Sequence, residues 1–188
     1  MSSFMYLASD KPLREIKNPH EKLLSVNEAQ ALGLEVPEYL QNGSISMDKP
    51  GVILWVDEAA DADDDFAVLL TEKQEDMFTE KKYCAYIEWN ACTKGRAEQI
   101  AVYIKEHLEE ADEIEIWKLW LGSSYPLPEI RKVNITAGEL NAAVIEKISA
   151  LDPWEKTAAG KQPALPRDWG YDENELETSV QYCYTIKR

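Results

Sequence analysis

The fold is decided by residues 83–121, which read YCAYIEWNACTKGRAEQIAVYIKEHLEEADEIEIWKLWL. Residues 83–89 form an aromatic and aliphatic run typical of a strand, and residues 113–121 form a second one. Between them, apolar residues of the segment 94–111 recur at the i, i+3, i+4, i+7 spacing of an amphipathic helix. The pattern predicts a β-α-β unit, whose strands a right-handed crossover would place parallel in one sheet, with the helix on one side.

The second strand of this unit is apolar on both of its faces. Ile114 and Ile116 point to one side, whereas Trp117 and Leu119 point to the other. Because a strand that buries both faces lies in the interior of a sheet, we expect residues 113–121 to be central.

The remaining segments complete an α+β protein. Capping-box patterns introduce two further helices, which are expected at residues 27–32 and 137–150. Further strands are expected at residues 4–8, 52–56, 66–71, 132–135 and 179–186. We therefore predict a single α+β domain over residues 1–188, with a mixed β-sheet that contains the β-α-β unit (residues 83–121) and two to three helices packed on it.

One long connection interrupts this pattern, at about residues 152–178. It is rich in proline and also carries Trp154 and Trp169. Long connections in compact domains are usually functional or mobile. The aromatic residues favour a loop that packs against the body, and a binding lid is the alternative.

The chain is strongly acidic. Lys and Arg number 20 against 35 Asp and Glu, which gives a net charge of −15. This charge repels phosphate backbones and anionic membrane surfaces, so we expect neither nucleic acid nor a membrane as a partner and regard a basic protein as the more natural one. Acidity can also serve solubility alone. No segment has the character of a signal peptide or reaches the roughly 20 apolar residues that span a bilayer, so a cytoplasmic location is expected.

Motifs that carry common chemistry are not found in the sequence. The cysteines, Cys84, Cys92 and Cys183, have no CxxC spacing, which favours reduced thiols over a zinc site. The chain also lacks the glycine-rich nucleotide-binding, nucleophile-elbow and zincin patterns. We predict no catalytic residue, no cofactor and no metal from these motifs, and the sequence does not indicate the oligomeric state.

The densest chemical feature is an acidic loop that follows the strand at residues 52–56. Its carboxylates are Asp57, Glu58, Asp61, Asp63, Asp64 and Asp65. Like charges at this density are costly to bury, so the loop must lie in water, face a cation or meet a basic partner. Only the last two alternatives are functional.

The cation alternative has a specific form. Asp61, Asp63 and Asp65 occupy positions 1, 3 and 5 of a twelve-residue calcium loop, and Glu72 occupies position 12. The sixth position requires a sharp turn and is normally glycine, but this chain has Phe66 there. The preceding segment also resembles a strand rather than the first helix of an EF-hand.

A basic turn lies between the first strand of the β-α-β unit and its helix. It contains Thr93, Lys94, Gly95 and Arg96. Helix N-termini attract anions, so cations there are unfavourable for the helix and suggest a small-anion site. The alternative is an ordinary turn whose Lys and Arg meet carboxylates of the chain itself.

These patterns favour a non-enzymatic protein that binds another macromolecule through its acidic surface. An inhibitor or immunity-type protein for a basic partner would fit the charge. Two alternatives stay open, namely an anion-binding domain or small enzyme that uses residues 93–96, and a calcium-binding module at residues 61–72.

Overall fold

A computed structural model describes residues 3–42, 45–56, 62–73, 79–119, 129–151 and 180–188 of the chain. The strands in these residues are β1 (Phe4–Ser9), β2 (Glu21–Leu24), β3 (Ile53–Val56), β4 (Ala67–Thr71), β5 (Tyr83–Glu88), β6 (Glu113–Leu119), β7 (Glu129–Thr136) and β8 (Val180–Lys187). The helices are α1 (Val26–Ala31), α2 (Glu38–Gln41), α3 (Lys94–His107) and α4 (Ala142–Ser149). The connection predicted at residues 152–178 lies outside the described residues.

The described residues contain a mixed sheet with the strand order β4-β5-β1-β6-β8-β7. β1 pairs antiparallel with both β5 and β6, and β7 pairs parallel with β8. Since β5 and β6 are both antiparallel to β1, they run in the same direction. The predicted α+β class, the mixed sheet and the β-α-β unit are confirmed, and β1 lies between the two strands of the unit.

The central position predicted for the second strand of the unit is confirmed for β6. On one face, Ile114 and Ile116 join the larger core cluster, which also contains residues of α3 and α4. On the other face, Trp117 and Leu119 join a second cluster with residues of β1, β5 and β8. The helix of the unit is confirmed as α3, although it ends at His107 and residues 108–110 form a turn.

The two capping-box patterns have different outcomes. At α1 the box is complete, because Ser25 Oγ accepts from the Glu28 N–H at 3.2 Å and the Glu28 carboxylate accepts from the Ser25 N–H at 2.7 Å. Before α4, the Glu139 carboxylate accepts from both the N–H and the hydroxyl of Thr136, at 2.7 and 2.9 Å. The Thr136 hydroxyl is thus a donor and not the acceptor that a cap requires.

The predicted start of α4 at residue 137 was therefore wrong. Residues 137–139 form a turn, and the helix begins at Ala142 with Asn141 as its N-cap. The Asn141 side chain accepts from the Val144 N–H at 3.2 Å.

A smaller two-stranded sheet, formed by β2 and β3, stands apart from the main one. Its inner face packs with α1 and α2 in a third cluster, which includes Leu24, Val26 and Leu40. The sequence pattern missed β2 and α2, which have four residues each and too little periodicity to be recognised. Within the described residues, none of the helices is long and apolar enough to cross a membrane.

The segment that follows β1 is fastened to α3 at Arg14. The Tyr103 hydroxyl donates to the Arg14 carbonyl at 2.7 Å, and the Arg14 N–H donates to Nε2 of His107 at 3.0 Å. Burial raises the pKa of Tyr103 from 10.0 to about 12, because the charged phenolate would lose its hydration.

This shift predicts a loss of stability at alkaline pH. Because the folded-state pKa lies above the unfolded value of 10.0, the neutral phenol stabilises the fold below that pH, and the contribution disappears as the pH rises towards about 12. At neutral pH, Tyr103→Phe should lower the free energy of unfolding by about 1 kcal/mol, because the hydrogen bond to Arg14 is lost. Between pH 10.0 and about 12, the free energy of unfolding should fall less in this variant than in the wild type, because phenylalanine does not ionise. Urea denaturation along this range measures both curves, and parallel curves would contradict the prediction.

Candidate functional site

The acidic loop and the basic turn meet in the structure. The described part of the loop, residues 62–66, lies against the N-terminus of α3, and Oδ2 of Asp65 is 2.8 Å from Nη2 of Arg96. The two side chains are only 4% and 2% exposed, respectively. The acidic loop and the basic turn, which are separate candidate sites in the sequence, are therefore joined by a buried ion pair between Asp65 and Arg96.

Arg96 has further partners on both segments. Its Nε donates to the Ala62 carbonyl at 3.2 Å, and its Nη1 donates to the Ala91 carbonyl at 2.9 Å. Each nitrogen of this buried guanidinium therefore has an acceptor, and Asp65 balances its charge. The side chain thus cross-links the loop before β4 to the loop after β5.

The acidic loop is also held by residues that precede β2. Asn18 Nδ2 donates to Oδ1 of Asp65 at 2.8 Å, and Nε2 of His20 lies 2.8 Å from Oδ1 of Asp64. The hydrogen bond from His20 lowers the pKa of the Asp64 carboxyl below its ordinary value of 3.8. Two adjacent carboxylates of the loop are thereby fixed in position.

Asp63 contacts the first turn of α3 directly. A Cβ atom added to Gly95 would overlap with the Asp63 carboxyl group, so the approach of this side chain requires glycine at residue 95. Gln99 Nε2 also donates to the Asp63 carbonyl at 2.8 Å. A carboxylate at a helix N-terminus is favoured by the partial positive charge of that end.

The residues of the predicted acidic surface have three different outcomes. Asp63 and Asp64 are exposed, as a partner-facing surface requires. Asp65 is buried, so it anchors the loop and does not belong to its outer surface. The placement of Asp57, Glu58 and Asp61 lies outside the described residues.

The basic turn has the alternative arrangement, in which its cations meet carboxylates of the chain. Lys94 is exposed and lies 3.9 Å from Glu98, whereas Arg96 is buried against Asp65. Thr93 is the N-cap of α3, because its hydroxyl accepts from the Arg96 N–H at 3.3 Å. The anion beside Arg96 is thus Asp65, and binding of an external anion by Thr93, Lys94, Gly95 and Arg96 stays a prediction.

The described part of the proposed calcium loop does not have the backbone of an EF-hand. The second helix of an EF-hand would begin in residues that here form β4. In β4, Val68 pairs with Ile87 and forms a β-bridge with Ile16. Phe66, at the position that favours glycine, is buried in the core. Asp65 would also have to leave Arg96 in order to bind a cation.

Cys92, in the same turn, is not an activated nucleophile. Burial raises the pKa of its thiol, so the protonated form predominates at neutral pH and reacts slowly. Burial likewise raises the pKa of Cys84, and that of Cys183 to about 12.

Sequence reasoning did not identify Asn18 and His20, which hold the acidic loop. They precede their carboxylate partners by 47 and 44 residues, and no local pattern marks them. Comparisons of the chain with protein families, with curated proteins and with solved structures find no match.

Proposed function

We propose that this protein is a non-enzymatic, cytoplasmic interaction protein that binds a basic protein through its acidic surface. The net charge of −15 supports a cationic partner and argues against nucleic acid. An inhibitor or immunity-type role is one form that such binding would take. Charge of this kind accelerates association and selects the sign of the partner.

The observation that carries the proposal is the anchoring of the acidic loop. Asp65 is buried against Arg96, and its neighbours Asp63 and Asp64 are exposed. The backbone of Asp63 is held by the hydrogen bond from Gln99, and the side chain of Asp64 by its hydrogen bond with His20. Carboxylates that are already ordered lose less conformational entropy on binding than carboxylates of a free loop.

The two alternatives would each displace contacts of the described residues. An anion site at residues 93–96 would have to compete with Asp65 for Arg96 and with Asp63 for the N-terminus of α3. A calcium site would require the same Asp65 to change partner.

The test compares two variants that lose the same charge. Asp63→Asn with Asp64→Asn alters the anchored carboxylates, whereas Glu109→Gln with Glu110→Gln removes two exposed charges from the turn after α3. Each immobilised protein captures partners from a lysate of the source cells, and the captured proteins are identified and quantified by mass spectrometry. We expect the wild type to capture a basic protein. Capture of this protein should fall at least about tenfold with the Asp63 and Asp64 variant and should change little with the control variant.

Equal losses with both variants would mean that the partner senses only the overall charge of the protein. Capture that neither variant weakens, or a captured set without a basic protein, would refute the proposal. Circular dichroism of all three proteins checks that their folds are the same.

A further inference from the structure

The β2–β3 sheet has an unusual outer face. In the register of this antiparallel pair, Leu23 lies opposite Leu54 and Glu21 lies opposite Val56. These four side chains share one face, because successive residues of a strand alternate between faces. The opposite face, with Leu24, Ile53 and Trp55, packs in the third core cluster.

An antiparallel pair with one buried face normally places polar residues on the other. Here, Leu23 is 67% exposed, Leu54 is 58% exposed and Val56 is 40% exposed. Single exposed leucines are common on protein surfaces, but directly opposed leucines beside a valine form a contiguous patch. On a two-stranded sheet, such a patch is a candidate docking surface.

The patch adjoins the acidic loop through hydrogen bonds of the segment before β2. Asn18 Nδ2 donates both to Oε1 of Glu21, at 3.1 Å, and to Oδ1 of Asp65, at 2.8 Å. His20, immediately before β2, contacts Asp64 at 2.8 Å. The apolar patch and the acidic surface are therefore parts of one continuous structure.

We propose that the outer face of the β2–β3 sheet docks a basic protein segment in which apolar anchor residues stand between Lys or Arg residues. The apolar anchors would cover Leu23 and Leu54, and the cations would face Asp63 and Asp64. A second copy of the chain is a poorer occupant, because its own acidic loop would approach a surface of the same sign. This inference rests on the proposed function and adds the chemistry of the partner.

The experiment uses two fluorescent peptides of equal charge and length. One alternates Lys with Leu, and the other alternates Lys with Gly. Fluorescence anisotropy measures their binding to the full protein at physiological salt. We expect the Lys/Leu peptide to bind at least about tenfold more tightly, since burial of leucine side chains stabilises the complex.

The difference between the peptides should vanish in Leu23→Gln with Leu54→Gln. It should persist in the control Leu32→Gln with Val102→Gln, which alters exposed apolar residues elsewhere. Both pairs are largely exposed, so neither variant is expected to unfold the protein. Asp63→Asn with Asp64→Asn should weaken both peptides.

Each other outcome overturns the inference. If the two peptides bind equally and both depend on Asp63 and Asp64, the proposed basic partner stands and the apolar docking face fails. Affinities weaker than about 1 mM for both peptides also refute the docking face, while the capture experiment still judges the proposed function. A dimer in sedimentation, or binding to neutral phosphatidylcholine vesicles, that is lost in the Leu23 and Leu54 variant would assign the face to another occupant.

Discussion

Replacing Arg96 with Met is expected to lower the free energy of unfolding by about 3–5 kcal/mol. Methionine keeps much of the aliphatic volume but leaves the Asp65 carboxylate buried without its cation. The substitution also removes the donors to the carbonyls of Ala62 and Ala91, which hold the loop before β4 to the loop after β5. Urea denaturation, monitored by circular dichroism and fluorescence, measures the change.

Two further variants separate the cost of an unpaired charge from other causes. Lys94→Met removes an exposed cation from the same turn and should change stability by less than about 0.5 kcal/mol. Adding Asp65→Asn to Arg96→Met removes the orphaned charge and keeps an oxygen that accepts from Asn18, so it should restore part of the loss. A single Arg96 variant that costs less than about 1 kcal/mol would show that the ion pair does not anchor the loop.

The sequence identified both charged segments but not their contact. The ion pair follows from the pairing of β4 with β5, in which Ala67 at the start of β4 lies opposite Glu88 at the end of β5. This register brings the residues before β4 beside the residues after β5. Consecutive strands often pair, so a predicted hairpin of residues 66–71 with 83–89 would have suggested the contact. The contribution of Asn18 depends on the path of the chain before β2, which no sequence pattern indicates.

In the fold, too, local sequence patterns predict individual elements but not which strands become neighbours. The spacing of apolar residues predicted α3, and the two apolar faces of β6 predicted its central position. Residues 4–8 were recognised as a strand, and their unbroken apolar run is typical of a strand buried on both faces. The choice of β5 and β6 as the neighbours of β1 depends on contacts between residues about 80 and 110 positions apart, which periodicity does not encode.

Replacing Leu7 with Ala is expected to destabilise the protein by about 2–5 kcal/mol, and this substitution tests the position of β1. Leu7 is fully buried in the larger core cluster and lies opposite Ala85 on β5 and Ile116 on β6. Its truncation leaves a cavity where β1 joins the two strands of the β-α-β unit, and the flanking strands cannot close it without losing their own pairing.

β7, which ends the order of the described strands in the sheet, provides the control. Val133 lies on β7 and is 36% exposed, so Val133→Ala leaves no enclosed cavity and should cost less than about 1 kcal/mol. Comparable losses for the two variants would contradict the enclosed position of Leu7 in the core, because only a side chain that is buried on all sides leaves a cavity when it is truncated. In the sheet, β1 joins β4 and β5 on one side to β6, β8 and β7 on the other. If Leu7→Ala greatly lowers the free energy of unfolding and the protein still unfolds in one cooperative transition, the two parts of the sheet unfold together.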